Sequence, residues 1–123
     1  MAQAKYDIPS TYLAAVRRIC LDLPEATEQE TWGHPTFRVR SKIFAGIGRD
    51  DDGLVTMSMK AAPGEQASLL ATGDPFFMPK YVGSKGWIGI IIDDKTDWEE
   101  VAELIDDSYR TIAPKTLVKL LEN

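Results

Sequence analysis

One cysteine and one histidine stand among the 123 residues, and the longest apolar stretch, Ile88 to Ile92, covers only a single strand's length. With Cys20 alone, the chain can close no intramolecular disulfide and can build no cysteine-based metal site. A reducing compartment follows as the expected setting, and with it a cytoplasmic location. The apolar stretch falls far short of the roughly 18 residues that a membrane-spanning helix needs, so no membrane association is expected. Positive charge is also in deficit: 14 Lys and Arg oppose 19 Asp and Glu, for a net charge of −5. That balance favours solubility and opposes non-specific attraction to phosphate backbones, so any nucleic-acid role requires a local basic patch. The opening residues, Met1 to Asp7, lack the basic-then-apolar order of a secretion signal. Residues 1–9 are read as a frayed lead-in.

What is present suffices for one core. At 44% hydrophobic residues, the chain has the size and composition of a single domain spanning 1–123. Tyr12, Val16, Ile19 and Leu23 recur at helical spacing after a Ser10 cap, and Pro24 ends that helix. Between Thr27 and Lys60 the period drops to two, predicting a three- or four-stranded antiparallel meander. Within it, Thr36 to Arg40 places Phe37 and Val39 on one face and Arg38 and Arg40 on the other, with a tight turn at Ser41-Lys42. Arg49 to Gly53 is a polar hairpin loop, and Leu54 to Lys60 alternates again. Pro63 to Ala71 reads as a short helix stopped by Gly73. A brief strand near Phe76-Phe77-Met78 and a central strand over Trp87 to Ile92 follow. The last long helix takes Thr96 as cap, Glu99 as its capping-box partner, and Trp98, Val101, Ile105 and Tyr109 as its buried stripe. Pro114 breaks it before a final short helix.

These segments predict an α+β domain of two layers, an antiparallel sheet with helices mainly on one face. The run Trp32-Gly33-His34-Pro35-Thr36-Phe37-Arg38-Val39, then Lys42-Ile43-Phe44-Ala45, Asp97-Trp98 and Ser108-Tyr109-Arg110-Thr111-Ile112-Ala113-Pro114-Lys115, resembles the MmcQ/YjbR family over nearly the whole chain. The resemblance implies an α-β3-α-β2-α order, described as a double-wing fold and proposed to bind DNA, with no reaction assigned.

Two groups of residues carry candidate chemistry. Arg38, Arg40 and Lys42 can line one edge of a hairpin and rest on a phosphate backbone, where each neutralised phosphate releases counterions; the competing reading is a solvated strand face that resists edge-to-edge pairing. Lys80, Tyr81, Lys85 and Trp87 interleave cations with aromatics on a glycine-bearing loop, the ingredients of phosphate attraction with base stacking; the competing reading buries the aromatics and leaves the lysines at the surface. Together the five cations make a candidate DNA-binding or regulatory face. The alternative is a pocket for a small anionic ligand or a protein partner, set between the Trp32–His34 turn and the Tyr81–Trp87 loop. His34 can donate to a phosphate or act as a base, but no nucleophile signature accompanies it, and an enzyme ranks last. Gly83-Ser84-Lys85-Gly86 lacks the spacing of a phosphate-binding Walker loop. Asp50-Asp51-Asp52-Gly53 lacks the alternate spacing of a calcium loop. Cys20 is expected to be buried and inert, and Met57, Met59 and Met78 are expected to fill core gaps. No metal or cofactor is expected, and the oligomeric state is left open.

Overall fold

Helix α1 (Ser10–Leu21) begins directly after Pro9, whose carbonyl accepts the Leu13 N–H at 3.0 Å. In this computed structural model residues 7–122 are described, so most of the expected lead-in lies outside them. Val16 and Cys20, one helical turn apart, are fully buried. Pro24 follows and the chain enters β1 (Thr27–Thr31), β2 (His34–Val39), β3 (Lys42–Arg49) and β4 (Val55–Lys60). The meander thus has four strands before the next helix, one more than the α-β3-α-β2-α order implies. The extra strand is the polar edge β1, Thr-Glu-Gln-Glu-Thr, which carries no alternating apolar signal.

Helix α2 (Gln66–Thr72) is stopped by Gly73 at φ 82°, a left-handed stop that suits glycine. It starts later than Pro63, which lies in a turn instead. Strands β5 (Phe76–Phe77) and β6 (Trp87–Ile91) complete a six-stranded sheet of order β1-β2-β3-β4-β6-β5, antiparallel throughout. Helices α3 (Trp98–Ile112) and α4 (Lys115–Val118) close the fold. Asp97, rather than Thr96, caps α3 by accepting the Glu99 and Glu100 N–H groups. The Thr96 hydroxyl instead accepts the Asp93 N–H within the preceding turn.

Phe37, Val39, Ala45, Ile47, Met57, Met59, Ile88 and Ile90 bury one sheet face together with Val101, Ile105 and Tyr109 of α3. This is the expected two-layer α+β arrangement, with the buried stripe of α3 read correctly from its spacing. Tyr109 meets the Phe44 ring edge-on at 5.4 Å and donates its hydroxyl to the Pro24 carbonyl at 2.7 Å.

Two local irregularities shape the β2–β3 hairpin. Val39 pairs with Lys42, so the tight turn is Arg40-Ser41, one residue earlier than expected, with φ of 50° and 71°. Both central residues of a twist-matched two-residue turn need positive φ, and Arg40 therefore leaves the strand rather than sharing a face with Arg38. The register also shifts between Phe37 and Arg38, leaving Phe44 as an extra residue in β3. Its carbonyl accepts the Ser108 hydroxyl at 2.6 Å, while the Ser108 Oγ accepts the Lys60 N–H at 3.0 Å. One buried serine on α3 thus holds two neighbouring strands at the site where the ladder is broken.

Candidate functional site

The sheet face turned away from α3 is floored by small residues. Gly46 and Gly48 of β3, Thr56 and Ser58 of β4 and Gly89 of β6 are register neighbours across it. Small side chains leave room for larger ones to lie flat. The His34 ring rests on Gly48, where an added Cβ would meet the imidazole at 3.2 Å, and the Phe77 ring lies on Gly89, where an added methyl would overlap it. Between the Phe77 side and the β3–β4 loop is a cleft of about 360 Å³, lined by Asp50, Asp51, Asp52, Thr56, Ser58 and the segment Phe77–Lys80.

A different cleft opens at the opposite end of the strands, where α3 finishes. Lys42, Lys60, Trp87, Thr111 and the aliphatic Ile43 and Ile112 enclose about 330 Å³ there. Lys60 and Trp87 are direct partners in the β4–β6 ladder, and Lys42 arrives from the β2–β3 turn. No carboxylate is among the residues lining this cleft. The carbonyl end of α3 contributes only about half a negative charge, against two full positive charges from the lysines. The balance in the cleft is therefore electropositive.

The expected cations are distributed unequally. Arg40 forms a two-pronged bond to Glu25 at 2.6 and 3.1 Å. That hydrogen bond, with the charge behind it, raises the arginine pKa and lowers that of the glutamate. Lys80 bonds Asp51 at 2.8 Å, and that contact raises the lysine pKa. Arg38 lies half-buried across β1 and β2, donating to the Thr31 hydroxyl at 2.9 Å and the Ser41 carbonyl at 3.4 Å; its Nε is buried with no partner among the described residues. Lys42 lines the basic cleft, and Lys85 is exposed on the short 3-10 turn Gly83–Lys85, two residues before Trp87. Strand β2, carrying Arg38, and strand β5, leading to Lys80, are four strand spacings apart, about 19 Å. The five cations therefore do not form one continuous group: Lys42 and the Lys85–Trp87 segment meet at one end of the sheet, and Arg38, Arg40 and Lys80 have other partners.

The aromatic and histidine candidates also separate. Trp32 and Tyr81 are 84% and 93% exposed, both at turn positions with positive φ, while Trp87 is half-buried in the basic cleft. Trp32, His34 and Tyr81 line neither cleft. Burial holds the His34 pKa below its ordinary value, partly offset by a backbone hydrogen bond at Trp32, so the imidazole is neutral near pH 7. Burial pushes the Cys20 thiol far up, away from the reactive thiolate. Among the described residues no group of three or more His, Cys, Asp or Glu side chains could hold a metal ion, and no helix is long and apolar enough to cross a membrane.

Lys60 and Thr111 are the site residues that sequence reasoning missed. Lys60 ends an alternating strand and looks like an ordinary solvated terminus; only the pairing of β4 with β6 reveals its neighbour. Thr111 is part of the Ser108–Lys115 motif, but nothing in that motif indicates which face it presents.

Comparison with known proteins agrees with this architecture. The family model described as YjbR matches residues 21–111. A comparison with curated proteins finds no match. Among solved structures, a Deinococcus radiodurans protein described as a DUF419 domain superposes with a TM-score of 0.72 at 21% identity, over 89% of this chain and 87% of that one. A Pseudomonas syringae protein superposes with a TM-score of 0.63 at 15% identity, over 85% of this chain and 98% of that one.

Proposed function

Since the chain belongs to the YjbR family, whose membership by itself assigns no reaction, we propose that it is a binding module for anionic groups, taking a phosphate or carboxylate carried on a planar ring at the Lys42–Lys60–Trp87 cleft. The observation supporting this is the convergence of two lysines and an indole in one cleft whose lining contains no carboxylate. Ammonium groups supply attraction without fixed bidentate geometry, the half-buried Trp87 offers an edge or face to a ring, and the Thr111 hydroxyl, whose proton is donated to the Asp107 carbonyl at 2.8 Å, keeps its lone pairs to accept from a ring N–H or amino group. Lys85, two residues before Trp87 and exposed, adds a third positive charge to the same stretch of chain.

Single-stranded nucleic acid is the polymeric form of the same chemistry, and the exposure of Trp32 and Tyr81 at turn tips favours it as a second reading, because exposed aromatics serve as stacking platforms. The net charge of −5 and the carboxylate partners of Arg40 and Lys80 work against a long phosphate track.

Titrations with inorganic phosphate, adenosine monophosphate and an oligodeoxynucleotide, followed by amide chemical shifts and tryptophan fluorescence, separate the cases. The expected result is saturable binding of adenosine monophosphate with shifts at Lys42, Lys60, Trp87 and Thr111, lost in the Lys42→Ala/Lys60→Ala double variant. Tighter binding of the oligonucleotide, with salt dependence of about −0.7 per phosphate neutralised and shifts at Trp32 and Tyr81, would select the polymer. No saturable response to any of the three would remove the anion-binding reading.

A further inference from the structure

We propose that the cleft over Thr56 and Ser58 is a second binding site, specific for a small uncharged molecule with an apolar body and one polar edge. It is independent of the basic cleft. Its floor lies on β4, where Thr56 and Ser58 point to the same side two residues apart. Both residues are half-buried and neither hydroxyl has a hydrogen-bond partner among the described residues, so both are free to donate or accept. One wall is apolar: Phe77, held flat by the missing side chain at Gly89, then Met78 and Pro79. Met78 is 53% exposed, so it does not fill the core gap expected from the sequence; its side chain lies against Gly83, in the space a Cβ there would take.

That wall is fixed from behind. Gln66, at the start of α2, donates to the carbonyls of Gly83 and Trp87 at 2.7 Å each and approaches the Met78 sulfur at 3.5 Å. At the front, the Lys80–Asp51 ion pair joins the same segment to the β3–β4 loop. With Phe77 paired to Gly89 in the β5–β6 ladder at one end and Lys80 held by Asp51 at the other, the segment is tied at both ends while its middle faces an open volume of about 360 Å³, which lies within the roughly 300–1,000 Å³ of small-molecule sites, near the small end.

The rim sets the charge preference. Asp50, Asp51 and Asp52 border the cleft against one lysine, which Asp51 already engages. An anion entering here meets a net negative rim, opposite to the basic cleft, so an uncharged molecule is the class that fits both the rim and the apolar wall. Indole has this shape, with a planar apolar body and one N–H edge to reach the Ser58 or Thr56 oxygen.

Indole is accordingly the probe, followed by amide chemical shifts on the full chain. Saturable shifts at Thr56, Ser58 and Phe77–Lys80 are expected, with indoleacetate much weaker at these residues. Ser58→Leu, which fills the cleft from its floor, should weaken indole binding by about tenfold or more, while Lys42→Ala/Lys60→Ala leaves it unchanged. A thermal melt of Ser58→Leu checks that the variant is folded; if it is not, Thr56→Val, which removes one hydroxyl at constant shape, replaces it and should weaken indole binding. Absence of saturable shifts, shifts that map elsewhere, equal binding of indoleacetate at this cleft, or indole binding undiminished in the folded floor variant would each overturn the proposal.

Discussion

Ser108 shows how one hydroxyl can fix a register. It is fully buried and serves the Phe44 carbonyl and the Lys60 N–H, two backbone groups that the bulge in β3 and the end of β4 leave without ladder partners. Replacing it by alanine strands both, and a buried unsatisfied backbone group costs about 1–3 kcal/mol. With two such groups stranded, urea unfolding of Ser108→Ala should show a loss of about 2 kcal/mol or more, with an unchanged slope; a loss near zero would mean that water substitutes for the hydroxyl. His34 makes a different residue-scale prediction. Its folded pKa is lowered by burial, so as pH falls the unfolded chain takes up the imidazole proton first, at its ordinary value of about 6.5. The stability tied to neutral His34 is complete above that value and is lost as pH drops through it towards the folded value. Between about pH 7.5 and 5.5, the melting temperature of the natural chain should fall more steeply than that of His34→Gln. Parallel curves would show that the imidazole is not desolvated. Cys20, at zero exposure, should resist iodoacetamide in the native state and react on unfolding.

At the scale of elements, the two tight hairpins and the Phe77 wall carry the predictions. Trp32-Gly33 and Arg40-Ser41 both adopt positive φ at both turn positions, a conformation that costs residues with a Cβ about 1–2 kcal/mol. Ser41→Gly relieves that cost at φ 71° and should stabilise the chain by up to about 1 kcal/mol in the same urea experiment. The sequence expectation placed this turn one residue late because neither Arg40 nor Ser41 carries the glycine or asparagine that normally marks it. Gly89→Ala should do the reverse. Its methyl overlaps the Phe77 ring, and overpacking of this kind costs about 1–3 kcal/mol; displaced Phe77 ring signals in an NMR spectrum would accompany the loss. Helix α3 was far more legible. Its stripe Val101, Ile105 and Tyr109 is fully buried and Trp98 packs near Tyr12 at 6.3 Å, because helical spacing along one element is written in consecutive residues. Only the cap moved, from Thr96 to Asp97, a one-residue difference of the kind that competing cap side chains produce.

For the whole molecule, the notable feature is where charge falls along the strands. Asp50, Asp51 and Asp52 follow β3, and Asp93 and Asp94 follow β6, at the same end of the antiparallel sheet. Lys42, Lys60 and Lys85 flank the other end. A net charge of −5 therefore coexists with a basic cleft, and the two clefts of about 330 and 360 Å³ present opposite rims. The chain alone determined the layers, since periods of two and 3.6 identify strand and helix from local pattern, and it determined the buried stripe of α3 and the inert setting of Cys20. Which cations meet was decided by the tertiary structure. Lys60 and Trp87 are joined by a ladder between β4 and β6 across a long intervening segment, and Arg40 and Lys80 are engaged by Glu25 and Asp51 from distant loops. Burial is a one-body preference that each residue type announces, whereas the convergence of charges depends on strand order and register, which exist only once the chain has folded.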